Sequence, residues 1–498
     1  MNIINLLLSN IRDRMAGNRA EFEDYLKSGN IGKAKDLMTC NNKVALETLK
    51  EYVTDTHKIN YRPDKIVSKK SGEKSLETTW KLPVAYQVYI NEIALVFLYG
   101  RPVKWQQLSE GTDNAFSKYL DVIKESHFDA RIREAKRIAG AETESALLFR
   151  VYKDDDGPNM QIFTLAASKG HEIYVKWDEY EQITAVGWGR YVKESGDNIV
   201  YHFDVFTPET IYRCAKRTMG WDVAPEVNLI GKIPIILFQQ EKEWVGAEQM
   251  INRMEHIVSR TADTNDYYAD PTLLVAADVV KNMPDKKEAA KVLVTSDAAG
   301  VNDAARFLTW DSAPQSKKDE MDWLHKMILQ TSFTPEISLD TMKSVSQLSA
   351  KALRTVMMLA VIKANRRKEK HDELLDRTAS LLTAIIGNVL DVSLSSECAN
   401  LSIGHEYQEP FGDDITDTLE QIIKSVDAGI MSTESALEQN PLVKDIANEK
   451  QRLAEEKEAS RRTQLDIFGA GTAYDGDEDK KEGEDKKEGE DKKEGEDK

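Results

Sequence analysis

The spacing of apolar and polar residues divides the first half of the chain into helical and β-rich blocks. Residues 1–55 are rich in helix-forming residues, and an apolar helix over residues 82–98 stops at the Gly100-Arg-Pro102 sequence. A charged helix is predicted over residues 114–139. Short apolar runs separated by turn residues then extend over residues 145–213, a pattern that predicts antiparallel β structure.

The apolar spacing changes to a helical period after residue 243. The apolar stripe of this predicted helix contains Ala247, Met250, Ile251, Met254, Ile257 and Val258. A second helix is predicted over residues 316–331, again with one apolar face. Three short apolar runs between residues 272 and 310 indicate a small α/β insert that joins the two helices.

The remainder of the chain is predicted to be mainly helical. Residues 333–347 show no clear period, and a long helix with a highly charged middle follows over residues 348–390. A further helical unit covers residues 413–456 and is interrupted at Gly429 and Pro441. Together these blocks predict an α+β fold.

Composition narrows the class of protein. The 498 residues carry a net charge of −18, which argues against a general nucleic-acid binder, because neutralising phosphates needs a basic surface. An acidic channel that lets DNA slide without sticking would carry the same sign. The three cysteines are far apart and odd in number, so we expect a reducing compartment and no disulfide framework. No apolar run has the length of a membrane span, so no membrane partner is expected.

The end of the chain has low complexity. The sequence Lys-Glu-Gly-Glu-Asp-Lys occurs three times, and residues 475–498 contain 13 acidic residues, 7 lysines and no apolar residue. Such a segment cannot bury enough apolar surface to offset the entropy of ordering. Residues 461–498 are therefore predicted to be a disordered tail.

Sequence patterns typical of catalysis are missing. There is no glycine-rich phosphate-binding loop and no nucleophile elbow. The His405-Glu406 pair lacks the second histidine of a metalloprotease, and the Asp154-Asp-Asp-Gly157 run favours a hairpin turn over a calcium loop. The sequence therefore predicts neither an enzyme nor a metal or cofactor site.

Four segments, taken in order, resemble a known family. They are a helix ending in Leu98-Tyr-Gly-Arg-Pro-Val103; Gly231-Lys-Ile-Pro-Ile-Ile-Leu-Phe238; Thr334-Pro-Glu336 through Ser346-Gln-Leu-Ser-Ala-Lys-Ala-Leu353; and Ala428-Gly-Ile-Met-Ser-Thr-Glu-Ser-Ala-Leu437 with Pro441-Leu-Val-Lys-Asp445. In the last of these, Ser432 or Thr433 is the expected N-cap of a short helix. Together the segments resemble the portal proteins of tailed bacteriophages, in particular the siphophage portal family.

The resemblance implies a portal fold with four named regions. These are an α/β wing at 1–242 that is completed by a long helix at 348–409, stem helices at 243–268 and 316–332, a small α/β clip at 269–315, a tunnel loop at 333–347, and a helical crown at 410–460. The tail at 461–498 follows the crown.

The same resemblance implies a function without catalysis. Portal proteins form rings, typically of twelve subunits, through which double-stranded DNA is packaged, retained and ejected at the capsid vertex. The implied partners are further copies of the chain, DNA, the terminase large subunit, head–tail connector proteins, and the major capsid and scaffolding proteins. The implied locations are the virion and, during assembly, the host cytoplasm.

The resemblance also nominates residues that would face DNA. Lys343 is the one basic residue of the predicted tunnel loop, and its neighbours Thr341, Met342 and Ser344 are included with it. Lys317 and Lys318, at the start of the second stem helix, are weaker candidates. An ordinary solvated loop lysine is the alternative interpretation of Lys343.

Two other functions remain open at this point. The chain could be a non-enzymatic adaptor or scaffold of another large assembly, in which the same helices serve only for self-packing. It could also be a nucleic-acid-processing enzyme without recognisable motifs. Electron microscopy distinguishes the three, because only a portal protein is expected to form a ring with an axial hole.

Overall fold

The computed structural model combines helices and sheets, as an α+β fold requires. It describes residues 19–68, 74–155, 157–194, 197–269, 272–275, 305–308, 314–337, 357–408, 410, 415–440, 442–443 and 446–470. The chain divides into two compact units, Met1–Phe411 and Gly412–Lys498. Among the described residues no helix is both long and apolar enough to cross a bilayer.

The first unit opens with short helices and an isolated ribbon. The elements are α1 (Arg19–Lys27), α2 (Ile31–Asp36), β1 (Thr39–Cys40), α3 (Asn42–Tyr52) and the paired strands β2 (Lys65–Ser68) and β3 (Lys74–Glu77). Residues 1–55 were predicted to be helical. Residues 1–18 lie outside the described residues, and the prediction was wrong at β1. Thr39 and Cys40 pair with a strand of the large sheet, a long-range contact that local spacing does not encode.

Helix α4 (Tyr86–Tyr99) ends at Gly100, as predicted, and β4 (Lys104–Gln107) follows it. The single helix predicted over residues 114–139 is two helices, α5 (Asp113–Glu125) and α6 (Phe128–Glu142). They separate at His127, which has a left-handed backbone with φ 53°. The buried apolar positions step by five residues from Ile123 to Phe128, a spacing that a continuous helix cannot keep on one face.

The β-rich block forms two antiparallel sheets rather than one. The larger sheet contains, in order, β1, β7 (Glu172–Trp177), β8 (Ile183–Lys193), β9 (Ile199–Phe206), β10 (Thr210–Arg217) and β11 (Gly220–Val227). The smaller sheet contains, in order, β12 (Ile235–Gln239), β5 (Glu144–Asp154) and β6 (Gly157–Leu165). Strand β11 lies beyond the predicted block. Its residues are mostly exposed, and Gly220 and Pro225 interrupt the apolar alternation by which a strand is detected.

The smaller sheet is the middle of three layers. On one face, Leu147 of β5 and Phe238 of β12 join a core with α4, α6 and the long helix of the first unit. On the other face, Leu148 of β5 and Leu237 of β12 pack against the larger sheet. A strand that is buried on both faces has a continuous apolar sequence in place of an alternating one. Both β5 and β12 contain such a run.

Two helices follow the smaller sheet. Helix α7 (Glu248–Ala269) begins at residue 248 rather than 243, because turns precede it and Gly246 has φ 84°. Its predicted apolar stripe is confirmed. Ile251, Met254 and Ile257 are buried against Leu324 and Ile328 of α8 (Pro314–Thr331). Strands β13 (Thr272–Val275) and β14 (Ala305–Leu308) pair antiparallel between the two helices.

The first unit closes with the long helix α9 (Met358–Ile385), which runs into a π-helical turn over Ile386–Leu390. A short helix α10 (Ser395–Asn400) precedes β15 (Ile403–Glu406), and β15 pairs with β4. The predicted start of the long helix, residues 348–356, lies outside the described residues.

The second unit contains three helices, α11 (Ile415–Asp427), α12 (Thr433–Gln439) and α13 (Ile446–Ala470), among the residues that the structure describes. Ser432 is confirmed as the N-cap of α12, since its side chain accepts a hydrogen bond from the Ser435 N–H. Helix α13 runs past residue 461, where the tail was predicted to begin. Its Glu, Lys, Arg, Ala and Gln residues are strong helix formers, which explains the extension.

Candidate functional site

The segment that begins the predicted tunnel loop is held firmly to the first unit. Phe333 has a left-handed backbone with φ 52°, and Ser332 and Thr334 on either side of it are buried. The Ser332 hydroxyl donates to the Thr334 hydroxyl over 3.0 Å, and the Thr334 N–H donates to the carbonyl of Leu329. These contacts turn the chain sharply at the end of α8.

Tyr89 of α4 fixes the next residues of the same segment. Its hydroxyl donates to the Pro335 carbonyl and accepts from the Ile337 N–H, each over 2.9 Å. One side chain therefore satisfies two backbone groups that have no partner in a helix or strand. The predicted loop residues Thr341, Met342, Lys343 and Ser344 lie outside the described residues.

The other two nominated lysines lie in the first turns of α8. Lys318 is exposed and Lys317 is partly buried. Both positions are compatible with a solvated helix start, which is the ordinary role of such lysines. Neither of them belongs to the buried ion cluster around Glu243.

A buried ion cluster lies directly behind the loop segment. We call Glu243, Lys136, Lys363 and Arg367 the Glu243 cluster. The Glu243 carboxylate is fully buried and lies 2.6 Å from Lys136 Nζ, 3.1 Å from Lys363 Nζ and 3.2 Å from an Arg367 guanidinium nitrogen. The amide of Gln240 adds a fourth donor over 2.8 Å. All the acceptor capacity of this carboxylate is used by charged or amide donors.

The charges of the cluster perturb one another strongly. Burial alone would raise the pKa of Glu243, but Lys136, Lys363 and Arg367 outweigh it and hold that pKa far below its usual range. Burial lowers the pKa of Lys136. Burial, with the nearby Lys136 and Arg367 charges, lowers the pKa of Lys363 to about 8 despite the attraction of Glu243. Three cations share one carboxylate, so the cluster depends on Glu243 remaining ionised.

The Glu243 cluster joins parts of the chain that are distant in sequence. Glu243 stands just before α7, and Ser332, just after α8, accepts a hydrogen bond from Lys363 Nζ over 3.0 Å. Lys363 and Arg367 belong to α9, which follows the predicted tunnel loop, and Lys136 belongs to α6. The entry to α7, the exit from α8 and the return of the chain in α9 therefore meet at one point.

A second set of polar contacts fixes the flank of α7. The backbone N–H groups of Trp80, Leu82 and Val84 donate to the side chains of Asp263, Ser259 and Glu255, over 2.8, 3.0 and 3.0 Å. The buried ring of His57 also contacts Glu255, with Nδ1 2.5 Å from Oε1. We call the segment 79–84 the strap.

These arrangements tie together segments of the first unit that are distant in sequence. The Glu243 cluster is enclosed, and its carboxylate has no free position for a substrate. Within the described ranges no group of three or more His, Cys, Asp or Glu side chains is placed to hold a metal ion. The charged run at 366–371 contains Arg367 of the cluster, but Glu243 and Lys136 lie more than a hundred residues away, and no local pattern marks them.

Comparison with known proteins finds a family whose model matches most of the chain. The family model described as phage portal protein, SPP1 Gp6-like, matches residues 41–463. No curated protein matches the chain. Among solved structures, one described as "Neck of native GTA particle computed with C12 symmetry" is similar at 9% sequence identity and a TM-score of 0.40. That similarity covers 72% of this chain and 90% of the other chain.

Proposed function

This chain belongs to the SPP1 Gp6-like family of phage portal proteins, and we propose that its copies form a ring around an axial channel for double-stranded DNA. As a portal protein it is a component of the bacteriophage virion. The ring would sit at the capsid vertex and serve DNA packaging, retention and ejection. The observation that carries the proposal is the family match over residues 41–463, which includes α7, α8 and α9.

The proposed division of the chain follows the portal plan. Helices α7 and α8 would be the stem, the insert at 269–315 the clip, and residues 333–347 the tunnel loop. The first 242 residues together with residues 348–409 would form the wing, and residues 410–460 the crown. The packed apolar stripes of α7 and α8, and the β13–β14 pair between them, support this division.

The channel would act through repetition of weak charges. In a closed ring each side chain recurs once per subunit, so Lys343 would form a circle of equivalent cations with Thr341, Met342 and Ser344 beside it. An acidic wall would repel phosphate and prevent DNA from settling in one register. The lysine circle would add weak, multi-site attraction that salt screens. Lys317 and Lys318 would contribute less.

The Glu243 cluster and Tyr89 support a mechanical part of this proposal. A loop that touches moving DNA must be held at both ends by a rigid body. The cluster holds the chain before the loop through Ser332 and after the loop through α9, and Tyr89 holds Pro335 and Ile337. We infer that force on the loop passes into the three-layered body of the first unit.

The partners proposed for the ring are other virion and packaging components. They are the terminase large subunit during packaging, head–tail connector proteins afterwards, and the major capsid and scaffolding proteins around the vertex. Assembly would take place in the host cytoplasm, and a ring of twelve copies is the expected stoichiometry.

Electron microscopy of the purified full-length chain, with native mass measurement at several concentrations, tests the proposal. We expect ring-shaped particles with an axial hole and a mass that is a fixed multiple of the subunit. A monomer at every protein and salt concentration would contradict it. Large particles without an axial hole would favour the adaptor or scaffold function instead.

A further inference from the structure

The ribbon formed by β2 and β3 exposes an apolar pair. Ile66 and Leu76 stand directly opposite each other in the antiparallel register. Their exposed fractions are 67% and 70%. Tyr61 and Trp80, just before and just after the ribbon, are also exposed. We call the described residues on either side of the hairpin, 61–68 and 74–80, the arm.

The apolar pair points away from the stem-like helix α7. Successive side chains of a strand lie on opposite faces, so Ile66 and Lys65 face opposite ways. Lys65 approaches Asp263 of α7, with Nζ 4.0 Å from Oδ2. The face with Ile66 and Leu76 therefore looks outward, with no other element of the described chain shown against it.

The base of the arm is fixed, so its direction is defined. Arg62 forms an ion pair with Asp263 over 2.6 Å and donates to the Trp80 carbonyl over 3.1 Å. The indole N–H of Trp80 donates to Asp266 over 2.5 Å. The arm thus projects from a rigid attachment on α7 instead of swinging freely.

An isolated two-stranded ribbon is marginally stable in water, and a contiguous exposed apolar face usually marks an interface. The arm meets both conditions. Residues 65–77 carry four lysines and two glutamates, although the whole chain has a net charge of −18. A basic arm is electrostatically complementary to a second copy of an acidic chain.

We propose that the arm of each subunit docks on the neighbouring copy of this chain, with Ile66 and Leu76 buried in the contact. The inference rests on the proposed ring. It adds a specific heterologous contact, in which each arm binds a different surface of the next subunit and the last arm closes the circle. The lysines would steer the arm, and the apolar pair would provide the affinity.

Photo-crosslinking tests where the arm lies. A benzophenone amino acid placed at position 66 of the full-length chain should, in purified rings under ultraviolet light, give covalent dimers and higher multimers of the chain. Rings that give adducts only within one chain would overturn the arm contact and leave the ring proposal intact. Adducts with added double-stranded DNA in place of chain dimers would also overturn it. Absence of rings in the unmodified protein would instead defeat the proposed function.

A matched pair of variants tests whether the contact matters. The double substitution Ile66→Ser and Leu76→Ser should lower ring yield several-fold at limiting concentration while the melting temperature of the subunit changes little. The control is Val392→Ser with Leu229→Ser, two side chains of matched exposure at 67% and 70% outside the arm. Normal ring yield from the arm variant, with no dimer adducts at position 66, would overturn the proposal.

Discussion

Lys363 binds Glu243 twice: its Nζ lies 3.1 Å from a carboxylate oxygen and 2.9 Å from the backbone carbonyl of the same residue. The second contact fixes the chain itself, not only a side chain. A residue of α9 therefore fixes the backbone at the point from which the chain enters α7.

Replacing Glu243 with Gln should strongly destabilise the protein. The substitution leaves the buried Lys136 and Lys363 without a counter-charge, and breaking a buried ion pair costs about 3–5 kcal/mol. Urea denaturation of the purified variant measures the change. Glu241→Gln is the control, because Glu241 is exposed two residues away. Equal losses in the two variants would show that the cluster contributes nothing specific.

The carboxyl of Glu144 should make stability fall as the pH rises. Burial raises its pKa to about 7, and hydrogen bonds from Gln239 and Asn41 oppose this only in part. Between the ordinary glutamate pKa and about 7, the folded protein holds a proton that the unfolded chain has released, so the free energy of unfolding decreases across this interval.

Glu144→Gln should therefore remove this dependence and be more stable than wild type at pH 8 by roughly 2–3 kcal/mol, with little difference near pH 4. Urea denaturation at both pH values measures it. The exposed Glu110→Gln variant serves as the control. Parallel pH dependences for wild type and the Glu144 variant would contradict the prediction.

The apolar stripe of α7 should not tolerate a charge. Ile257 is 5% exposed and packs in the cluster that includes Leu324 and Ile328 of α8. Ile257→Asp would bury a carboxylate, at a cost of several kcal/mol unless the group takes up a proton. We expect little folded protein and few rings, by melting temperature and electron microscopy. Asn265→Asp, on an exposed position of the same helix, should behave as wild type.

Helical periodicity made that stripe predictable from sequence, because Ile251, Met254 and Ile257 repeat at helical spacing. The smaller sheet was partly predictable for a related reason, since doubly buried strands read as apolar runs. The only local sign of the break at His127 was the five-residue spacing between the buried residues Ile123 and Phe128. The Glu243 cluster left almost no local signal in the sequence. Ion pairs between residues such as Lys136 and Glu243 depend on how the folded chain brings them together, not on their sequence spacing.

The β2–β3 ribbon was not predicted from the sequence, for a different reason. Residues 58–72 are rich in turn residues, and this composition hides β2, while β3 follows directly after them. With four residues each, β2 and β3 are too short to give a clear apolar alternation. The tunnel-loop residues are a third case. Their assignment rests on resemblance to a family, and it remains a prediction.

Lys343→Glu should impair DNA handling without preventing assembly. If residues 333–347 line the channel, the substitution turns a circle of weak attraction into a circle of repulsion. Packaging or retention of DNA should suffer, and more at low salt than at high salt, because salt screens surface charges. Packaging assays with rings of the variant measure this, and Lys318→Glu should have a smaller effect. Normal packaging, or failure to form rings, would count against the assignment.

The contacts between the strap and α7 constrain the lengths of both segments. Two residues of extended chain advance about 6.7 Å and four residues of helix about 6.0 Å, so donors at 80, 82 and 84 keep pace with acceptors at 263, 259 and 255. Inserting one residue between Trp80 and Val84 would turn the N–H donors on one side of the insertion away from the helix. The lengths of the strap and of α7 are therefore coupled. Neither segment can gain or lose a residue in this stretch unless the other changes as well.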